Sequence, residues 1–206
     1  MSDASGAVVH VIDDDNDIRL SLDSLLRSVG LDTELHPTPP SLQAFNLGRP
    51  QCALVDVRLR GSSGLDFQDQ LVRSNVGVPV IMMTGFGDIP MSVRAMKAGA
   101  VDFLPKPFRD QDLLDAVTRA IDIDRCRRVR EAETSTVLAR YSDLSEREKE
   151  VMALVVTGKM NKQVAASLAL SEVTVKVHRG AAMRKMQARS LADLIKMNDA
   201  VVASAG

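Results

Sequence analysis

Five polar residues of this 206-residue chain each follow, or end, a short apolar run. Asp13 and Asp14 follow AVVHVI, Asp56 ends CALVD, Thr84 ends PVIMMT and Lys106 follows VDFLP. Neighbouring carboxylates raise one another's pKa unless a cation neutralises them, and their oxygens suit Mg²⁺, which shares phosphate oxygens. At such a site Asp56 would be the nucleophile that forms an aspartyl phosphate. Lys106 would then contribute a positive charge, and Thr84 a hydrogen bond, to the phosphoryl oxygens.

Short strands that alternate with helices must position these side chains. The apolar runs read as buried strands, with a further strand near 33–35, and the segments between them carry helical spacing, including a helix around 41–47. This alternation predicts a parallel five-stranded α/β sheet within residues 1–121. Because loops at the carboxyl ends of such strands converge on one crevice, we expect the five side chains to share one site. The alternative is that Asp13–Asp15 only cap a helix and Asp56 only ends a strand.

The charge of the chain is divided unevenly. Residues 1–124 hold 11 Lys and Arg against 18 Asp and Glu, a balance of −7, whereas residues 125–206 hold 15 against 9, a balance of +6. The asymmetry indicates an acidic module followed by a basic one, the latter suited to a polyanionic partner. We place a helical linker between them at 122–141.

The basic module is helical throughout by pattern. Ser145 and Glu148 form a capping-box signature, a short helix covers 161–168, and a third helix runs from a Ser171 cap to about Met186. We expect Val173, Val177 and Met183 on the inner face of that third helix. A fourth helix follows a Ser190 cap. Short helices joined by tight turns, the third of them basic, predict a four-helix, helix-turn-helix DNA-binding domain at 142–206.

Nearly the whole chain resembles a two-component response regulator of the FixJ/NarL-like group, which joins a receiver domain to a LuxR-type helix-turn-helix. The segments that carry the resemblance are VIDDD (11–15), LVDVRL (54–59), MMTGFGDIPMSVRAMKAGAVDFLPKPF (82–108) and LSEREKEVMALVVTGKMNKQVAASLALSEVTVKVHRGAAMRKM (144–186). The resemblance implies a flavodoxin-like receiver fold. It also implies that a histidine kinase phosphorylates Asp56.

The resemblance assigns further roles around Asp56. It implies that Asp13, Asp14 and Asp56 bind Mg²⁺ together with the Arg58 main-chain carbonyl. Thr84 and Lys106 would hold the phosphoryl oxygens, Phe103 would be the switch aromatic, and the Lys106–Pro107 bond would be cis. Phe103 is equally compatible with a plain core position.

Two positions depart from, or vary within, the family pattern. Arg60 stands where the family usually has proline, and Phe86 lies two residues after Thr84, at a position that tunes phosphoryl lifetime. We expect the Phe86 ring to exclude attacking water from the phosphate.

The third C-terminal helix is the candidate for insertion into the major groove of DNA. By resemblance, Lys176, Val177 and Gly180 face the groove. The other candidate DNA-binding residues are Lys162, Gln163, Thr174, Arg179, Arg184 and Lys185. Aromatic residues are only 3% of the chain and there is no Trp, so base stacking on single strands is not supported.

Three functions remain open at this stage. The first is a phosphorylation-switched transcription regulator that pairs through the face near 91–121 and binds promoter DNA as a homodimer when phosphorylated. The second is a constitutive DNA-binding protein with a structural receiver. The third is a haloacid-dehalogenase-like phosphatase, which would need an acidic residue where Arg58 stands. We favour the first, and we do not expect an enzyme.

The composition and the first 15 residues argue against a membrane-spanning, a secreted or a disulfide-rich protein. No apolar run approaches the roughly 20 residues needed to span a bilayer, and MSDASGAVVHVIDDD lacks the basic segment of a signal peptide. Cys52 and Cys126 alone form no disulfide framework. We therefore expect a cytoplasmic protein with reduced thiols and no membrane partner.

Overall fold

The computed structural model describes residues 6–45, 48–85 and 89–205 of the chain. These residues divide into two compact units, with the division between Arg128 and Val129.

The first unit alternates strands and helices. Its strands are β1 (Val8–Ile12), β2 (Asp32–His36), β3 (Gln51–Asp56), β4 (Arg58–Leu59), β5 (Ser62–Ser63), β6 (Val80–Thr84) and β7 (Asp102–Pro105). Its helices are α1 (Asn16–Ser28), α2 (Gly64–Arg73), α3 (Ile89–Lys97) and the beginning of α4 (Asp110–Ser142).

Five strands form one parallel sheet in the order β2-β1-β3-β6-β7, so the predicted flavodoxin-like sheet is confirmed. The register pairs Val9 with Thr33 and Cys52, and the chain returns through a helix between most successive strands. The central strands β1, β3 and β6 are buried along their whole length, as their continuous apolar sequences predict. All the carboxyl ends of these strands therefore lie on one edge of the sheet.

Each face of the sheet carries its own core. One core joins residues of β1, β3 and β6 to Leu22 and Leu26 of α1 and to Leu113 and Val117 of α4. The other joins the opposite side of the strands to apolar residues of α2 and α3. The sheet is thus held rigidly between two layers of helices, which fixes the positions of the loops at its edge.

Two local features differ from the sequence prediction. The expected helix around 41–47 is a short 3-10 helix at Leu42–Phe45, and residues 46 and 47 lie outside the described residues. The loop after Asp56 contains a small antiparallel hairpin of β4 and β5, turned at Gly61 with φ of 78°. Two-residue strands carry too little periodicity to be recognised in a sequence.

The second unit is entirely helical within the described residues. It contains the end of α4 and the helices α5 (Glu146–Val155), α6 (Asn161–Leu168), α7 (Glu172–Met186) and α8 (Leu191–Ala205). The capping box at the start of α5 is confirmed: Glu148 N–H donates to Ser145 Oγ at 3.3 Å, and Ser145 N–H donates to Glu148 Oε2 at 2.8 Å. Ser171 caps α7 as predicted. The residues predicted as a linker, 122–141, are helical within α4.

The prediction for the inner face of α7 is wrong for Val173 and Val177 but confirmed for Met183, which packs against the core of the unit. Val173 is 74% exposed and Val177 63% exposed, whereas Val175, Ala182 and Met186 are buried. The valines at every second position made the helical phase ambiguous, and packing against α5 and α6 selected Val175. Both exposed valines therefore lie on the outer surface of the unit.

No helix in the part of the chain that the structure describes is long and apolar enough to cross a membrane.

Candidate functional site

Three of the predicted site residues meet at the carboxyl edge of the sheet. Asp13 follows β1, Asp56 ends β3 and Lys106 follows β7. The Lys106 Nζ lies 2.6 Å from Asp13 Oδ2 and 2.6 Å from Asp56 Oδ1, so one ammonium bridges two carboxylates. The structure thus brings together residues that are 93 and 50 positions apart in the chain.

The site lies at the boundary between core and solvent. Asp13, Asp56 and Thr84 are buried, and the Lys106 side chain is 18% exposed. Burial raises the pKa of the Asp56 carboxyl, and the Lys106 ammonium offsets only part of this effect. Burial lowers the pKa of Lys106, but Asp13 and Asp56 outweigh it and the net direction is upward. The lysine therefore stays charged next to the carboxyl groups.

Backbone hydrogen bonds hold the loops of this edge together. The Lys106 N–H donates to the Thr84 carbonyl at 2.6 Å, and the Val57 N–H donates to the Met83 carbonyl at 2.8 Å. The Lys106–Pro107 bond is cis, as the resemblance implied. Thr84 is thereby positioned beside Lys106, on the neighbouring strand.

The three consecutive aspartates after β1 have different roles. Asp15 is the N-cap of α1, and its side chain accepts hydrogen bonds from the N–H groups of Asp17 and Ile18. Asp13 accepts a hydrogen bond from Asp15 N–H at 2.9 Å and contacts Lys106. The helix-capping alternative therefore holds for Asp15 but does not account for Asp13.

Asp14 lies closer to solvent than Asp13. Its Oδ2 accepts a hydrogen bond from Arg60 Nε at 2.9 Å, and the Arg60 side chain is 85% exposed. The residue that replaces the usual proline of the family thus supplies a charge to one of the predicted metal ligands. The ion pair between Arg60 and Asp14 can break with little loss of free energy, because surface ion pairs contribute about 0–1 kcal/mol to stability.

The segment after Asp56 is packed tightly against it. Arg58 N–H donates to Asp56 Oδ2 at 2.7 Å, which holds the carboxylate in place. Gly64 lies so close that a Cβ atom there would be 2.1 Å from the Asp56 carbonyl oxygen. Only glycine fits at this position.

The carboxylates of Asp13, Asp14 and Asp56 fit a magnesium ion in their chemistry. All are hard oxygen donors on adjacent loops, and Mg²⁺ prefers one or two carboxylates plus water and phosphate oxygens. The Lys106 ammonium already neutralises two of them, which is the arrangement expected where carboxylates converge. The assignment of these ligands, and of the Arg58 carbonyl, remains a prediction.

Two other predicted residues lie near this edge. Phe103 is on β7, half-buried and packed against the core beneath α2 and α3. This position suits a core aromatic and a switch residue alike. Phe86, expected to shield the phosphate, lies outside the described residues.

The candidate DNA-binding residues divide into two groups by their contacts. Lys162, Lys176 and Arg184 are exposed, and among the described residues no ion pair engages them. By contrast, Lys185 Nζ lies 2.7 Å from Glu148 Oε2 and also donates to the Asp143 carbonyl. The first three cations are therefore available to a polyanion, whereas Lys185 already stabilises the start of α5.

The polar candidates next to them are also held in place. Gln163 Oε1 accepts a hydrogen bond from Met160 N–H at 2.9 Å, and Arg179 Nη1 donates to Asn161 Oδ1 at 2.9 Å. Thr174 N–H donates to Ser171 Oγ at 3.0 Å. These contacts orient the first turns of α6 and α7, which is the part of a helix that approaches phosphates most readily.

The outer face of α7 is open at Gly180. A Cβ atom at this position would meet only Arg184 Nη1, at 3.6 Å, which is ordinary van der Waals contact. The fold of the unit therefore does not require glycine there. Together with exposed Lys176 and Val177, Gly180 forms a surface with charge, an apolar side chain and room for close approach.

One structural residue was missed by the sequence reasoning. Asp124 is fully buried in the first unit, where its carboxylate accepts from Gln51 N–H at 2.9 Å and from Arg128 Nε at 2.6 Å. Arg127 also pairs with it. Its only signal in the sequence was an acidic residue just before a basic run, which is typical of exposed helices as well.

Comparisons with known families assign the two units of the chain to two different families. Residues 9–118 match the family described as response regulator receiver domain, and residues 142–198 match bacterial regulatory proteins of the luxR family. Their bounds lie close to the predicted ranges 1–121 and 142–206, although the exact domain boundaries remain a prediction.

Relatives and solved structures cover almost the full chain. Nodulation protein W of Bradyrhizobium diazoefficiens is 52% identical over 97% of this chain and 88% of its own length. The transcriptional regulatory protein FixJ of Rhizobium meliloti is 38% identical over 92% and 93%. The structure of the response regulator StyR is 42% identical with a TM-score of 0.78, covering 94% of this chain and 98% of that one. The chain belongs to the two-component response regulators that join a receiver domain to a LuxR-type DNA-binding domain.

Proposed function

We propose that Asp56 accepts a phosphoryl group from a sensor histidine kinase and that this modification controls how the second unit binds promoter DNA. The observation that carries the proposal is the bridge of Lys106 between Asp13 and Asp56, with both distances at 2.6 Å. Within the described part of the fold, the two cores of the receiver unit are built without the half-buried Lys106 and these two carboxylates.

The transfer makes Asp56 the nucleophile. One of its carboxylate oxygens forms a bond to phosphorus while the bond from phosphorus to the kinase imidazole breaks. The electron pair of the broken bond stays on the imidazole nitrogen, which takes a proton from water. Asp13, Asp14, Asp56 and the Arg58 carbonyl would hold Mg²⁺, which when bound supplies positive charge to the phosphoryl oxygens.

Phosphorylation changes the partners of Lys106. An acyl phosphate adds negative charge and strong acceptor oxygens at position 56. The Lys106 ammonium, which now bridges two carboxylates, then has a phosphoryl oxygen as an additional partner, and the Thr84 hydroxyl donates to another. We propose that the shift of Thr84 draws Phe103 inward, which biases the face near 91–121 toward pairing with a second copy.

Phosphorylation by a small donor tests the acceptor. The full chain is incubated with acetyl phosphate and Mg²⁺, and its intact mass is measured with and without hydroxylamine, which cleaves acyl phosphates. We expect one phosphoryl adduct in the parent protein and in Asp66→Asn, an exposed aspartate on α2, but none in Asp56→Asn. An adduct of equal yield in Asp56→Asn would refute the assignment.

DNA binding is proposed for the outer face of α7. Lys176 and Val177 are exposed there and Gly180 permits close approach, whereas the exposed Lys162 and Arg184 would contact phosphates. An exposed valine suits the methyl group of thymine, and lysine suits guanine or phosphate. Gln163, Thr174 and Arg179 would contact the backbone, and Lys185 would contribute long-range charge from its place beside Glu148.

Alanine substitution tests this face. Lys176→Ala should weaken binding of promoter DNA by about 1–3 kcal/mol, roughly 5- to 150-fold. Lys196→Ala, an exposed lysine on α8, is the matched control and should change the affinity little. Equal losses in the two variants would show only a general effect of charge.

The proposal includes a homodimer of the phosphorylated protein on two half-sites about one helical turn apart. It also places the protein in the cytoplasm, where its DNA is, and treats it as a regulator rather than an enzyme. The second candidate, a constitutive DNA-binding protein, keeps the helical surface but gives no role to the bridge of Lys106, so we prefer the phosphorylation switch.

A further inference from the structure

A second cluster of ligating side chains lies on the edge of the sheet formed by β1 and β2. His10 pairs with Glu34 in the register of the two strands, and His36 lies two residues after Glu34. Residues two apart on a strand share a face, so all three side chains lie on the same face. None of them belongs to the proposed phosphorylation site.

The ligating atoms of the cluster converge. His10 Nδ1 is 3.2 Å from His36 Nε2 and 3.5 Å from Glu34 Oε2, and His36 Nε2 is 3.8 Å from the same carboxylate oxygen. Ligands at the usual zinc distances of about 2.0–2.2 Å in tetrahedral geometry are separated by roughly 3.3–3.6 Å. The separations of 3.2, 3.5 and 3.8 Å lie around this range, so the three atoms have the spacing of one triangular face of a coordination tetrahedron.

We propose that His10, Glu34 and His36 form a binding site for a late first-row divalent metal ion, with Zn²⁺ as its representative. Two imidazole nitrogens and one carboxylate are the donor set of zinc sites that keep an open fourth position. Imidazole donors disfavour Mg²⁺ and Ca²⁺, which prefer oxygen alone. Among the residues that the structure describes, this is the group of three potential ligands whose atoms all lie within 4.8 Å of one another.

The surroundings of His10 orient it for coordination. Its Nε2 donates to Gln51 Oε1 at 3.1 Å, and Gln51 is fixed in turn because its Nε2 donates to the Phe45 carbonyl. This donation places the proton of the His10 ring on Nε2 and leaves Nδ1 to accept from His36 Nε2 at 3.2 Å, so a metal ion would take the place of the His36 Nε2 proton. Such an outer hydrogen bond accompanies most metal-ligating histidines.

The cluster is also accessible from solvent. The His10 side chain is fully buried, whereas the side chains of Glu34 and His36 are 38% and 19% exposed. A metal ion can enter from the exposed side and retain water as its fourth ligand.

Zinc titration of the full chain tests the proposal. Calorimetry is carried out with Zn²⁺ in the presence of excess Mg²⁺, which occupies the acidic site, and with Cys126→Ser as the background to remove the exposed thiol. We expect one Zn²⁺ per chain. His36→Gln and Glu34→Gln should each weaken it at least tenfold, because each removes a ligand. His178→Gln alters the third histidine of the chain and should leave the affinity unchanged.

A spectroscopic measurement separates coordination from folding. Co²⁺ in place of Zn²⁺ should give the visible absorption of a four-coordinate nitrogen and oxygen site in the parent protein and in His178→Gln, and lose it in His36→Gln. Circular dichroism of the metal-free variants shows whether they are folded. The proposal is overturned if the parent protein binds no Zn²⁺, or if folded His36→Gln and Glu34→Gln bind it as tightly as the parent. Phosphorylation of Asp56 is not needed for either result.

Discussion

Gly180 gives a prediction in which stability and DNA binding change in opposite directions. It lies in the interior of α7, where glycine is less favourable than alanine by about 0.8–1.0 kcal/mol. The added Cβ would meet only Arg184 Nη1, at 3.6 Å, so no clash offsets this gain. We therefore expect Gly180→Ala to raise the free energy of unfolding of the helical unit by about 1 kcal/mol, a roughly fivefold change in its equilibrium constant.

The same Cβ should weaken DNA binding, because it projects from the face that carries Lys176 and Val177. There it prevents α7 from lying close to the DNA. Amide hydrogen exchange of α7 measures the stability, and fluorescence anisotropy with labelled promoter DNA measures the affinity. Asn198→Ala on α8 is the control: it should gain helix stability without loss of affinity. Unchanged DNA affinity in Gly180→Ala would refute the placement of Gly180 at the interface, and a less stable unit would refute the packing argument.

Three further predictions concern charge and reactivity. Asp124→Ala should destabilise the receiver unit by about 3 kcal/mol, because it leaves the buried Gln51 N–H and two arginines without their carboxylate partner. Urea unfolding measures this loss. Asp122→Ala, which removes a half-exposed aspartate, is the control. The ion pair and cap of Glu148 lower its pKa, so the stability they contribute is complete above the unfolded value of about 4.3 and is lost as the pH falls through the folded pKa. The melting temperature of Glu148→Gln should therefore fall less between neutral and acid pH than that of the parent protein. Burial raises the pKa of Cys52, and Cys126 is exposed. A maleimide should label Cys126 alone in the native protein, and labelling of both thiols at similar rates would contradict this.

The elements that position the site were predictable because their sequences are unambiguous. The apolar runs at β1, β3 and β6 read as buried strands, and the polar residue at the end of each run marked the edge where the site lies. Caps at Ser145 and Ser171 were equally clear, since their hydrogen-bonding pattern is local.

The failures arose where long-range packing decides between local alternatives. The phase of α7 could not be read from Val173, Val175 and Val177, because burial of Val175 depends on contacts with α5 and α6. Asp124 fell within the predicted helical linker at 122–141, although the Gln51 N–H that it satisfies is 73 residues away. No local sequence pattern reports such a contact.

The cluster of His10, Glu34 and His36 could not be predicted from the sequence for the same reason. His10 lies within an apolar run, and Glu34 and His36 lie on an edge strand, so each has an ordinary reading alone. Only the register of β1 and β2 brings their ligating atoms together.

The central claim is that a phosphoryl group on Asp56 changes how the helical unit binds DNA. Its most direct test is the promoter affinity of the full chain and of Asp56→Asn, each with and without acetyl phosphate in Mg²⁺, at one fixed salt concentration. We predict that the phosphodonor tightens binding by the parent protein and leaves Asp56→Asn unchanged. Equal affinities in all four conditions, or an equal response of Asp56→Asn, would contradict it.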